Sequence, residues 1–131
     1  MIQVVNIYIV YMSNSLIDNI EELTLNNKNY RRVLHTTPQM QLVVMSVPYN
    51  VEIGMERHKG TTQFIKVEQG DGIAVINGES HSIKSGDVVV VPPDTWHNII
   101  SRSKTGLKLY TIYSPPEHRD GLVEKTKPSI K

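Results

Sequence analysis

The chain has 131 residues, the size of one domain and too short for two ordinary ones. It contains no cysteine, which excludes disulfides, cysteine-ligated zinc and a thiol nucleophile and suits a reducing cytoplasmic compartment. Fourteen Lys and Arg against 13 Asp and Glu leave a formal charge of +1, so bulk charge gives no reason to expect nucleic acid or a membrane surface as a partner.

The first segment, Met1 to Met12 (MIQVVNIYIVYM), is strongly apolar. It is far short of the roughly 20 residues a spanning helix needs. It lacks the basic start and small-residue cleavage site of a secretory signal. Its Val, Ile and Tyr content predicts a β-strand, or else an extension upstream of a natural start at Met12. Ser13 to Leu25 is the one helix-like stretch, with Ser15 and Asp18 spaced as a capping box and Leu16, Ile17, Ile20 and Leu23 as an apolar stripe. Asn26 to Tyr30 is polar and turn-like.

From Gln41 the texture changes to short apolar runs divided by turn residues. Strands are expected at Gln41–Val47, Val51–His58, Gln63–Gln69, Asp87–Val91, His97–Arg102 and Leu107–Tyr113. Asp71–Gly72 and Asn77–Gly78 are two-residue hairpin signals. The valine run Asp87–Val91 reads as a strand buried on both faces, ended by Pro92–Thr95. Strands at intervals of about 8 to 12 residues predict an all-β sandwich, barrel or jelly roll. Glu124–Lys131 is polar and reads as a surface tail.

Glu56 and His58 lie two apart on one predicted strand and so share a face. A four-residue hairpin at Lys59–Thr62 would set His58 opposite Gln63, with Cβ atoms about 5 Å apart. His97 opens a later strand just after a Pro-containing turn and reaches the same point if the sheet curls back on itself. A lone strand histidine is usually structural. An inward Glu beside an inward His is costly unless something neutralises it.

These residues resemble a known family. Gly54-Met-Glu56-Arg-His58, four residues, Gln63, six residues, Gly70 is similar to the first cupin motif, G-x5-H-x-H-x(3,4)-E-x6-G. Gly86, five residues, Pro92-x-Asp94-x2-His97-x3-Ser101 is similar to the second, G-x5-P-x-G-x2-H-x3-N. The 15 residues Asp71 to Ser85 between them match the short spacing of small microbial cupins. The stretches Thr61-Thr62-Gln63-Phe64 and Pro92-Pro93-x-Thr95-Trp96-His97-Asn98 resemble single-domain cupins labelled mannose-6-phosphate isomerase-like.

The resemblance implies a cupin-type double-stranded β-helix over residues 28–127, an N-terminal extension over 1–27 and a tail over 128–131. It implies one divalent metal, Fe, Mn, Ni, Co or Zn, on Glu56, His58, Gln63 and His97. Glu56 stands where the family has His, and Gln63 where it has Glu. Asp94 replaces a glycine and Ser101 an asparagine, both off the ligand positions.

Two imidazoles and one carboxylate suit non-haem Fe(II). One carboxylate against a +2 ion leaves about +1, which favours a small anionic ligand. The functions implied are a metal-dependent dioxygenase or sugar-phosphate isomerase or epimerase, a non-catalytic metal or small-molecule binder, or a structural assembly module. A homodimer is expected, because outer barrel faces commonly pair.

Around the site, Trp96 is a candidate pocket wall. By alternation Tyr110 and Tyr113 face opposite ways, so at most one of them reaches a ligand. His118 lies in a segment placed to cover the barrel mouth. His35 and His81 read as structural, and Arg57 as outward-facing. Gly70-Asp71-Gly72 has no following helix to make a dinucleotide loop, and no G-x-S-x-G elbow occurs.

Overall fold

The computed structural model describes residues 14–129. A single described helix, α1 (Ile20–Asn26), precedes nine strands: β1 (Arg31–Thr36), β2 (Gln41–Val47), β3 (Thr62–Gln69), β4 (Asp71–Ile76), β5 (Glu79–Lys84), β6 (Val88–Val91), β7 (His97–Ser101), β8 (Leu107–Ser114) and β9 (Val123–Glu124). One sheet has six strands in the order β6-β3-β8-β2-β1-β9, and the other three in the order β5-β4-β7. All these pairings are antiparallel. The all-β architecture expected from strand spacing is found, in the jelly-roll form that the family resemblance implied.

Side-chain alternation divides the six-stranded sheet cleanly. Val33, Val43, Met45, Ile65, Val67, Leu107 and Leu109 turn inward and meet Ala74, Ile83 and Ile99 of the smaller sheet. At one end of this core the inward row is Val91, Gln63, Tyr113 and Gln41, aligned across β6, β3, β8 and β2. All four are buried. An apolar layer thus grades into a polar one, and that polar layer carries the candidate site.

Several sequence expectations need correction. The helix is shorter than Ser13–Leu25. Asn19 caps it by accepting from the Glu22 amide at 2.9 Å, and Leu16 and Ile17 before it are exposed. Asn19 wins because its side chain fits the N2–N3 donors, while Ser15 would lengthen the helix over no apolar surface. Met1 to Met12 lies outside the described residues. Asn77–Gly78 does turn β4 into β5, with both residues at positive φ (48° and 84°), as a type I′ hairpin requires.

Asp71–Gly72 does not form a turn. The bend is at Gly70, φ 91°, and Gly72 lies within β4. A Cβ on Gly72 would stand 2.4 Å from the Ile100 carbonyl oxygen of β7, so glycine is needed there for close strand approach. The valine run is not buried on both faces either. β6 is an edge strand, and Val88 and Val90 are 52% and 57% exposed. Glu124, the first residue of the expected tail, is instead in β9 with Val123. They pair with β1, and Glu124 accepts a hydrogen bond from the Arg31 guanidinium.

Replacing Gly72 by Ala forces backbone away from backbone, which no rotamer change relieves. We expect Gly72→Ala to cost about 1–3 kcal/mol, read as a lower urea midpoint with an unchanged slope. A midpoint equal to wild type would mean β4 and β7 are not packed this closely.

Candidate metal centre

Val51–His58 is extended but does not form the strand expected. It bridges to β7 at two points, Glu52 with Ile100 and Glu56 with His97. Nor does it form a hairpin with β3, whose partners are β6 and β8. The chain instead crosses from one sheet to the other at Lys59–Thr61, where Gly60 takes a positive φ of 72°. Sheet closure overrides the local hairpin, because β6 and β8 occupy both edges of β3.

The crossing still brings the expected residues together by another route. Glu56 and His97 exchange two backbone hydrogen bonds, N to O at 2.8 and 2.9 Å. The Ile53 amide donates to the Ile99 carbonyl at 2.8 Å, and the Gly54 amide to Asn98 Oδ1 at 2.8 Å. Asn98 in turn donates to Glu52 Oε1 at 2.8 Å. The His58 carbonyl accepts from the Asp94 amide at 3.0 Å. Asp94 sits at φ 61°, the left-handed region that explains a glycine at the matching family position. Asp tolerates it better than most residues.

One ligand-type atom each of Glu56, His58 and His97 falls within 4.8 Å of the others. The His58 and His97 rings lie 5.3 Å apart, tilted at 55°. His97 Nδ1 is 2.9 Å from the Thr95 carbonyl. A carbonyl only accepts, so Nδ1 carries the proton and Nε2 has a free lone pair. His97 Nε2 is buried without a protein partner. His58 Nδ1 is 3.2 Å from Glu117 Oε2, which leaves Nε2 facing Glu56 Oε1 at 3.4 Å.

Gln63 completes the pattern. Its amide nitrogen donates to Thr111 Oγ1 at 3.1 Å, and its Oε1 is buried without a partner. It lies in register with Tyr113, whose ring meets the edge of His58 at 5.7 Å. Buried polar atoms are rarely orphaned. Here the free atoms of His97 and Gln63 are lone-pair donors, and with the Glu56–His58 pair beside them they make the donor set a divalent ion needs.

The electrostatics follow from the same contacts. Burial pushes the Glu56 carboxyl up, but the hydrogen bond and charge of His58, then Arg31 and His97, outweigh it and hold the group below its usual 4.5. The bond to Glu56 holds His58 above its usual 6.5 against desolvation, with Glu117 adding to the effect. Burial, then the Arg31 charge, depresses His118. Burial raises the Tyr113 hydroxyl, with the nearby Glu56 charge adding to it.

The remaining candidates fall around this centre. Tyr113 is buried and inward, while Tyr110 stacks on Phe64 of the outer face at 6.2 Å. His118 packs its ring on the Tyr113 edge at 5.1 Å, and its Nε2 is buried without a partner. Trp96 is 47% exposed, with the outward Arg57 guanidinium 5.0 Å from its ring centre. His81 lines a cleft of about 550 Å³ between β5 and β6, where none of the four candidate ligands lies.

Residues that sequence reasoning missed are Arg31, Gln41, Thr95, Thr111 and Glu117, all in supporting contacts. Glu117 carried a signal as the neighbour of His118, and Thr95 as part of the stretch around His97.

Residues 43–113 match the Cupin domain family. The chain is 42% identical over 114 residues to protein L612 of Acanthamoeba polyphaga mimivirus, covering 84% of this chain and 71% of that one. It is 37% identical over 123 residues to YrkC of Bacillus subtilis (strain 168), covering 89% of this chain and 66% of that one, just under two thirds. The crystal structure of BH2720 from Bacillus halodurans superposes with a TM-score of 0.86 at 33% identity, covering 88% of this chain and 92% of that one.

A group held above its ordinary pKa adds stability below that ordinary value and loses it as pH rises through the folded one; a depressed carboxyl does the reverse. In the metal-free protein the His58–Glu56 pair therefore contributes fully between roughly pH 4.5 and 6.5. NMR titration of metal-free protein should place His58 above 6.5. Glu56→Gln should bring it down, because the largest raising contact loses its charge. An unchanged value would show that Glu56 does not face His58.

Proposed function

The chain belongs to the cupin domain family, and we propose that it binds one divalent metal through Glu56, His58, Gln63 and His97 to act on a small anionic molecule. One observation carries the reading: His97 Nε2 and Gln63 Oε1 are buried without a partner, beside the Glu56 carboxylate and the His58 Nε2 that faces it at 3.4 Å. A protein interior does not strand such atoms without compensation. Residues 28–127 are the unit that does this.

Two imidazoles and one carboxylate favour Fe(II) and a dioxygenase. Bound there, the ion would hold and polarise an anionic substrate on its open positions. The chain's own residues shape the surroundings. Tyr113 and the apolar layer beneath it exclude water from one side. Arg31 adds positive charge within reach of Glu56, which further favours an anion.

A sugar-phosphate isomerase or epimerase is the second reading, and His118 favours it. Its unpartnered, buried Nε2 and depressed proton affinity suit a neutral general base near the metal. The uncharged β6 edge, with Val88 and Val90 exposed, supports a homodimer.

Metal that binds only the folded state stabilises it by about 2.7 kcal/mol at 100 times its dissociation constant. Divalent ion added to stripped protein should therefore raise Tm by several degrees for a domain of this size. His58→Ala and His97→Ala should each abolish the increment, Gln63→Ala should reduce it, and His81→Ala should leave it whole. Loss of the increment in His81→Ala with its retention in His97→Ala would move the metal elsewhere. With Fe(II) loaded anaerobically, O₂ uptake with enols or 2-oxo acids supports the oxygenase. Solvent deuterium entering a sugar phosphate, lost in His118→Ala, supports the isomerase.

A further inference from the structure

Outside the four candidate ligands, Gln41 makes the densest set of side-chain hydrogen bonds near the centre. It opens β2, faces inward beside Tyr113 and is fully buried. Its amide nitrogen donates to the His118 carbonyl at 2.7 Å and to Thr36 Oγ1 at 3.1 Å. Its Oε1 accepts from the His118 amide at 2.9 Å and the Glu117 amide at 3.3 Å. Two donors and two lone pairs are all a carboxamide has.

Three of these bonds go to the backbone of Glu117 and His118. Residues 115–120 form no strand and follow the end of β8. Gln41 therefore serves that stretch as a strand neighbour would. It fixes the Cα of Glu117 above the barrel mouth, and from there Glu117 Oε2 reaches His58 Nδ1 at 3.2 Å. The Glu117 side chain is one-third exposed. A carboxylate that wet would not hold a histidine on a free tether. The anchored backbone supplies the constraint.

We propose that Gln41 is a positioning residue for the metal centre, fixing the Pro115–Asp120 segment so that Glu117 holds His58 with Nε2 facing the other ligands. The inference rests on the metal reading above and deepens it. A carboxylate on the far nitrogen of a metal-binding imidazole sets its tautomer and ring orientation and raises its basicity. His97 receives the same service from a backbone carbonyl. Only His58 depends on a segment that must itself be tied down.

The test is Co(II) titration of the metal-free full chain, read by chelator competition and by the visible spectrum of the bound ion. Glu117→Ala should weaken Co(II) about 10- to 100-fold and change the spectrum as His58 loosens. Glu117→Gln, which keeps an acceptor for Nδ1–H, should restore most of the affinity. Gln41→Leu should weaken Co(II) by a similar factor. Adding Glu117→Ala to Gln41→Leu should cost little more, because both act through one contact. Gln41→Leu strands two buried N–H groups, so Gln41→Glu, which still accepts from both, is the second variant, with an intermediate loss expected.

Gln41 variants that lower Tm but leave Co(II) affinity and spectrum unchanged would overturn the proposal. So would losses that multiply in the double variant. Wild-type protein that binds Co(II) as tightly as Glu117→Ala would overturn this inference alone. Wild-type protein that binds no Co(II) would overturn the metal reading and this inference with it.

Discussion

The structure turns on a carboxylate held inside a barrel next to an imidazole. The Glu56 side chain stays 34% exposed, and the part withdrawn from water still needs partners. Two backbone bonds to His97 hold the Glu56 backbone against β7. The compensation is local: His58 at 3.4 Å, with the Arg31 charge behind it. Gly54 at φ 115°, the Asn98 amide bond and the crossing at Gly60 all serve to bring this one segment against β7.

A common scheme governs three of the four candidate ligands. One polar atom is tied to the framework and the other is left free: His97 through the Thr95 carbonyl, His58 through Glu117, Gln63 through Thr111. On His97 and Gln63 the free atom is then a lone pair, on His58 it faces Glu56, and the nearest charge is negative. Such a cluster repels itself unless something positive enters. In the metal-free protein a proton on His58 Nε2 fills that role, which is why its affinity for a proton is raised. A divalent ion would take the same place, and it must displace that proton to do so. Proton and metal are thus competitors for one nitrogen.

Much of this was legible in the sequence, but for reasons that differ by residue. Strand positions were readable where alternation met a turn: Gln41–Val47 matches β2 at both ends, and Asn77–Gly78 makes its turn. Glycine and valine misled because they answer to more than one constraint. Gly72 is present for clearance from Ile100, not for a turn, and β6 is all valine while lying at an edge. The grouping of Glu56, His58 and His97 was readable, although the hairpin expected to create it does not exist. What survives is the two-residue spacing, since alternation in an extended chain does not depend on which strand lies alongside. The supporting residues were not readable. Gln41 and Glu117 meet only because β2 and the stretch after β8 adjoin in space, and no local pattern announces that.

The departures from the cupin pattern now have a physical meaning. The usual set of three histidines and a glutamate carries one negative charge, and so does Glu56 with His58, Gln63 and His97. The charge is conserved but relocated, from the β3 position now held by Gln63 to the segment bridged to β7. At β3 a carboxylate would face Thr111, a neutral hydroxyl. At Glu56 it lies beside His58 and within the field of Arg31, itself paired with Glu124. Arg31 is buried on β1, and the pairing of β9 with β1 keeps its partner in place. Moving the charge therefore couples the centre to β9, the last described strand. A reader of the motif alone would see two substitutions at ligand positions. The fold shows one relocation, in which the carboxylate stands at Glu56 in place of an imidazole and a neutral amide, Gln63, fills the position it left.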